Sequence, residues 1–86
     1  MTKRIKLLLN WYELEGKCQI GEEEIPGLSI DDILKLFKEP FWNGVFQCWA
    51  IEAQHIAVLQ PRINHTMQPH LYAYFLEATS INSQPP

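Results

Sequence analysis

Between Leu36 and Glu52 the chain reads LFKEPFWNGVFQCWAIE, and the spacing of its apolar residues changes from a helical to an extended period. Ile30, Ile33, Leu34 and Phe37 fall at i, i+3, i+4 and i+7, the stripe of a helix that buries one side. From Val45 to Ile51 the run is short, almost wholly apolar and rich in strand formers. Pro40-Phe41-Trp42-Asn43-Gly44 joins the two as an aromatic turn. A helix feeding a strand through so tight a connection restricts the chain to mixed α and β structure in one layered unit.

The rest of the chain extends this pattern. Residues 3–15 read as a first strand, with Ile5, Leu7, Leu9 and Trp11 on one face and Lys6, Leu8, Asn10 and Tyr12 on the other. Glu13 and Glu15 continue the first face into water. Gly16-Lys17 reads as a hairpin turn and residues 18–25 as a returning edge strand, with Gly21 a weak point or bulge. Pro26-Gly27 ends that segment. Ser29 then sits at an N-cap position with Asp32 three residues on, a capping-box-like start reinforced by Asp31. Lys35 and Lys38 complement the helix dipole, and Glu39-Pro40 closes the helix.

Apolar residues on both faces of the 45–51 run predict an interior strand, with Val45, Gln47, Trp49 and Ile51 facing one way and Phe46, Cys48 and Ala50 the other. Residues 52–60 read as a short helix burying Ala53, Ile56 and Leu59, stopped near Pro61. Residues 70–78 fit both periods. Leu71, Tyr74, Phe75 and Ala78 suit a helix, and the alternation of Ala73, Phe75 and Glu77 with Tyr72, Tyr74 and Leu76 suits a strand, which the aromatic density favours. The expected fold is α+β in the order ββαβαβ, a four-stranded, mainly antiparallel sheet with two helices on one face. Residues 1–79 form the domain and 80–86 a frayed tail.

Eighty-six residues leave room for one core, which buries roughly 60% of the unfolded surface. A hydrophobic content of 47% argues against disorder. No apolar run approaches the ~18 residues that span a bilayer. Lys3, Arg4 and Lys6 before Leu7-Leu8-Leu9 imitate a signal peptide only faintly, because Asn10 and Glu13 interrupt the run. Cys18 and Cys48 lack metal or redox spacing and read as free thiols. These points predict a cytoplasmic protein that does not engage membrane.

Motifs for chemistry are sparse. His55, His65 and His70 have no cysteine pair or HExxH beside them, so ordinary surface or loop histidines are expected and no metal. Cys48, in an expected buried strand, reads as a small hydrophobe rather than a nucleophile. The glutamates look solvated, without the apolar cleft that acid–base work needs. Gly16, Gly21, Gly27 and Gly44 stand singly, with no phosphate-binding loop. No cofactor and no catalysis are expected.

Charge says more about partners. The formal net charge is −3, and the acids concentrate in the middle third, at Glu13, Glu15, Glu22, Glu23, Glu24, Asp31, Asp32 and Glu39. That disfavours nucleic acid, whose binding depends on Lys and Arg, and suits a basic protein. In the aromatic turn, at least one of Phe41 and Trp42 completes the core. The other reading is that a ring stays exposed as an interface anchor, a role in which Trp is enriched.

The segment DDILKLFKEP, FQCWAI, HIAVLQ and YAYFLEA resembles a small bacterial single-domain family. Its pattern falls here on Leu36-Phe37, Cys48, Leu59-Gln60 and Tyr74-Phe75-Leu76-Glu77. Proteins of this size and acidity resemble the immunity proteins of polymorphic-toxin systems, in particular contact-dependent growth inhibition. The resemblance implies an antitoxin-like partner that binds a cognate toxin domain, often a nuclease, and occludes its functional surface. The residues expected to meet the toxin are Glu22, Glu23, Glu24, Asp31 and Asp32 for steering and Trp42 for the anchor. The chain itself is expected to be a monomer or weak homodimer. The alternatives are a structural or regulatory adaptor acting through homo-oligomerisation, and a small enzyme or metal binder using Cys18, Cys48 and the histidines.

Overall fold

A computed structural model describes residues 3–16, 18–42 and 44–82, and the side chains of residues 3, 4, 81 and 82 are left aside. The order is β1 (Lys3–Glu13), β2 (Gln19–Glu24), α1 (Ile30–Phe37), β3 (Phe46–Ala50), α2 (Ala53–Leu59), a 3-10 turn at Gln60–Arg62, and β4 (Tyr72–Asn82). The strands form one sheet in the order β2-β1-β4-β3, and every neighbouring pair is antiparallel. This is the expected ββαβαβ α+β fold. The ambiguous stretch 70–78 is strand, and it pairs with β1 from Lys3↔Asn82 to Glu13↔Tyr72. Pairing through Asn82 also takes residues 80–82 out of the expected tail, whose remainder lies outside the described residues. The same holds for Lys17 of the expected turn.

Alternation builds the core. Leu7, Leu9 and Trp11 of β1 lie beside Ala78, Leu76 and Tyr74 of β4, and all six are buried. Trp49 of β3 joins them opposite Leu76. Ile33 of α1 and Leu59 of α2 close the layer from above, each fully buried. A large aliphatic side chain so placed contributes about 1.5–3 kcal/mol. Both helices therefore cover the same side of the sheet.

The start of α1 follows its sequence. The Ser29 hydroxyl accepts from the Asp32 backbone N–H at 3.1 Å, and the Asp32 carboxylate accepts from the Ser29 N–H at 3.0 Å. The helix stops at Lys38, whose φ of 57° is left-handed, a common helix ending.

Three expectations need correction. β3 is an edge strand, not an interior one. Phe46, Cys48 and Ala50 lie on the sheet face opposite the helices and all three are exposed, so an apolar run on both faces did not mark a strand flanked on both sides. In α2, Ala53 is exposed and His55 takes the buried position. His55 is thus neither a surface nor a loop histidine. Its Nδ1 accepts from the Glu52 backbone N–H at 2.9 Å, and its ring lies 4.4 Å from that of Phe37. An N–H at a helix start lacks an intrahelical acceptor, and a histidine here supplies one.

Gly21 does sit beside a β-bulge, the register with β1 shifting between Trp11 and Tyr12. A Cβ at Gly21 would come within 2.5 Å of the Trp11 ring. Glycine is required there because the indole lies across the strand.

Candidate functional site

The side of the sheet away from the helices carries a polar seam inside an apolar field. Strand alternation puts Leu8, Asn10 and Tyr12 of β1 on this face beside Glu77, Phe75 and Ala73 of β4, with Cys48 opposite Glu77 on β3 and Glu22 opposite Asn10 on β2. Asn10 is only 2% exposed despite facing away from the core. An amide buried that deeply is costly unless its hydrogen bonds are made. Here both ends are satisfied: Nδ2 donates to Glu77 Oε2 at 2.6 Å, and Oδ1 accepts from Gln19 Nε2 at 2.8 Å. Gln19 Nε2 also lies 3.3 Å from Glu22 Oε1. The seam so crosses three strands.

Around it are the half-buried rings of Tyr12 and Phe75, packed edge to face at 5.8 Å. Phe46, on the same face of β3 as Cys48, is 46% exposed. A hollow of about 460 Å³ opens where β1 runs into its turn, walled by Tyr12, Glu13, Cys48, Ala73, Phe75 and Glu77. Partial desolvation of the sulfur against the sheet, and then the Glu77 charge, raises the Cys48 thiol above its usual range. A nucleophilic cysteine needs the opposite shift.

A second cluster lies on the helix side. The His65 ring stacks on Trp11, and its Nε2 is 2.8 Å from the Tyr74 hydroxyl. That hydroxyl also accepts from the Gln68 backbone N–H at 2.7 Å, which leaves its own hydrogen available for a second bond. Burial raises the Tyr74 phenol, an effect the Gln68 hydrogen bond opposes. Gln60 clamps the same loop, donating to the His65 carbonyl at 2.7 Å and accepting from the Met67 N–H at 2.8 Å. Together these hydrogen bonds hold the loop at 63–71.

The residues expected to form one binding surface are dispersed. Glu22 and Glu24 point to the open face, being opposite Asn10 and Leu8. Glu23 points the other way, and its carboxylate accepts from the Asn64 and His65 backbone N–H groups at 2.7 and 2.9 Å. Asp31 and Asp32 lie in the first turn of α1, and Asp32 is committed to the cap. Trp42 is partly buried and packs against the core, whereas Phe41 is 67% exposed. Asn10, Glu77, Tyr12 and Phe75 were not among the expected site residues. Their alternation with Leu9, Leu76 and Trp11 was visible, but their convergence needed the β1–β4 register. Among the described residues no group of three His, Cys, Asp or Glu side chains could hold a metal ion. Nor is any described helix long and apolar enough to cross a membrane.

The chain is therefore a two-layer α+β domain in which, among the described residues, both helices lie on one side of the sheet. Residues 6–77 match the family described as Domain of unknown function (DUF7683), and the chain belongs to that family. No curated protein matches it. Of the motifs noted above, Leu59, Tyr74 and Leu76 are core, Gln60 clamps the loop, and Cys48, Phe75 and Glu77 line the open face.

Proposed function

We propose that this chain is a non-catalytic immunity protein of the bacterial cytoplasm, which binds a cognate toxin domain and covers its functional surface. The observation that carries this reading is the sheet face opposite the helices, where carboxylates at Glu22, Glu24 and Glu77 are set among Leu8, Phe46 and Phe75. An apolar centre interleaved with acids suits a basic protein surface, the acids speeding encounter and the rings excluding water. The net charge of −3 and the resemblance to immunity proteins support the same partner. Nuclease domains, which must hold phosphate, present basic surfaces of this kind.

Growth decides it. The C-terminal domain encoded immediately upstream is expressed in a sensitive host, with and without this chain. Rescue by this chain and by no unrelated immunity protein is the expected result, and Phe46→Asp combined with Glu24→Lys abolishes it. Toxicity that the chain leaves untouched overturns the pairing.

A homo-oligomeric adaptor is the second reading, favoured by β3 lying at the sheet edge with Cys48 and Ala50 exposed. Light scattering across concentration tests it, and a lasting monomer removes it.

A further inference from the structure

We propose that the hollow at the turn end of the open face is a receptor for one arginine side chain of the protein partner, with Glu77 receiving the guanidinium and Tyr12 and Phe75 walling it. The inference deepens the proposed function and rests on it for the source of the arginine.

The hollow, at about 460 Å³, falls within the about 300–1,000 Å³ typical of sites that enclose a small group. Its chemistry is uneven in a useful way. Glu77 stands on one wall and Glu13 on another, and among the described residues no cation is paired with either. The same hollow is lined by the Tyr12 and Phe75 rings, Ala73 and Cys48. Partial desolvation and the neighbouring carboxylate keep the Cys48 thiol in its neutral form, so it adds no competing charge.

Glu77 is also pre-positioned. Asn10 fixes one of its oxygens at 2.6 Å, and Asn10 is itself buried and held from behind by Gln19 at 2.8 Å. A free glutamate on a sheet surface loses rotamer freedom when it binds a cation, and this one has already lost it. The other oxygen, Oε1, has no hydrogen bond among the described residues. Guanidinium suits such a site better than ammonium. It is planar, weakly hydrated, stacks on aromatic rings and presents a fork to a carboxylate. An arginine reaching in from a basic surface would leave its backbone at the rim, where Leu14, 54% exposed, meets the partner.

The test uses the full chain, labelled with nitrogen-15, and the probe N-acetyl-arginine N-methylamide. The lysine and the neutral citrulline counterparts are run beside it. Expected are amide shifts clustered at Tyr12, Cys48, Ala73, Phe75 and Glu77 that saturate in the millimolar range, about the affinity of a single anchored side chain. Citrulline produces none, and lysine binds several-fold more weakly. Glu77→Gln keeps the shape and an acceptor for Asn10 and weakens the arginine probe at least about ten-fold, with the native spectrum otherwise retained. Phe75→Leu, a second variant that keeps Glu77, weakens it by a smaller factor. Equal binding of citrulline, or unchanged affinity in Glu77→Gln, overturns the receptor. The growth assay separates the two ideas. If the wild-type chain rescues and Glu77→Gln rescues equally well, the toxin reading stands and the arginine contact falls. If the titration behaves as expected but the wild-type chain never rescues, the receptor stands and the toxin reading falls.

Discussion

The imidazole of His65 lies flat on the indole of Trp11, with ring centroids 3.8 Å apart and planes 7° from parallel. The two residues are far apart in sequence, and the contact fastens the loop at 63–71 to the central strand. His65→Ala removes the stack and the hydrogen bond to Tyr74 while leaving Tyr74 its Gln68 partner. A loss of about 1–2 kcal/mol follows. Urea unfolding measures it, and a loss under about 0.5 kcal/mol would mean the stack is incidental.

Gly21→Ala strikes the same strand from its other neighbour. The new methyl would fall 2.5 Å from the Trp11 ring, so either the indole or β2 must move. Overpacking of this kind costs about 1–3 kcal/mol. Thermal melting together with the near-ultraviolet dichroism of the indoles reads both the loss and its location.

Asp32 gives a pH signature. Hydrogen bonds from Ser29, backbone first and hydroxyl second, hold its carboxyl below the usual 3.8. A carboxyl depressed in the folded state stabilises above its unfolded value and loses that contribution as pH falls through the folded one. Asp32→Asn keeps the acceptor and deletes the charge. The stability gap between wild type and this variant is therefore full at neutral pH and closes below 3.8. Urea midpoints across the acid range test it, and a gap independent of pH would exclude an ionic contribution.

Cys48 reports on Glu77. Partial desolvation and then the Glu77 charge raise the thiol, and thiolate is the reactive form. In a Cys18→Ser background, Glu77→Gln should speed alkylation of Cys48 by iodoacetamide near neutral pH. Equal rates would place the Glu77 charge too far from the sulfur to matter.

The aromatic turn makes opposite demands on its two rings. Phe41 is 67% exposed and Trp42 packs against the core. Phe41→Ser should stay within about 0.5 kcal/mol of wild type, whereas Trp42→Ala should cost about 1–3 kcal/mol for a partly buried ring. Denaturant curves for the pair distinguish anchor from filler.

Local pattern by itself determined much of this protein. Ile30, Ile33, Leu34 and Phe37 announced α1, Ser29 and Asp32 announced its cap, and Leu7, Leu9 and Trp11 announced the buried face of β1. These follow from residues a few positions apart, which helix and strand periods bring onto one face whatever else the chain does. The tertiary structure decided what depends on register and on which side the helices choose. An apolar run looks the same in an interior strand and in an edge strand with one face opposite the helices, and Phe46-Gln47-Cys48-Trp49-Ala50 proved to be the second. Three adjacent glutamates alternate on β2, so Glu22 and Glu24 face outward while Glu23 reaches across to residues 64 and 65. Asn10 and Glu77, 67 positions apart in sequence, meet only because β1 and β4 pair as they do. One residue of slip would move each side chain to the opposite face, and the seam with its hollow would not form.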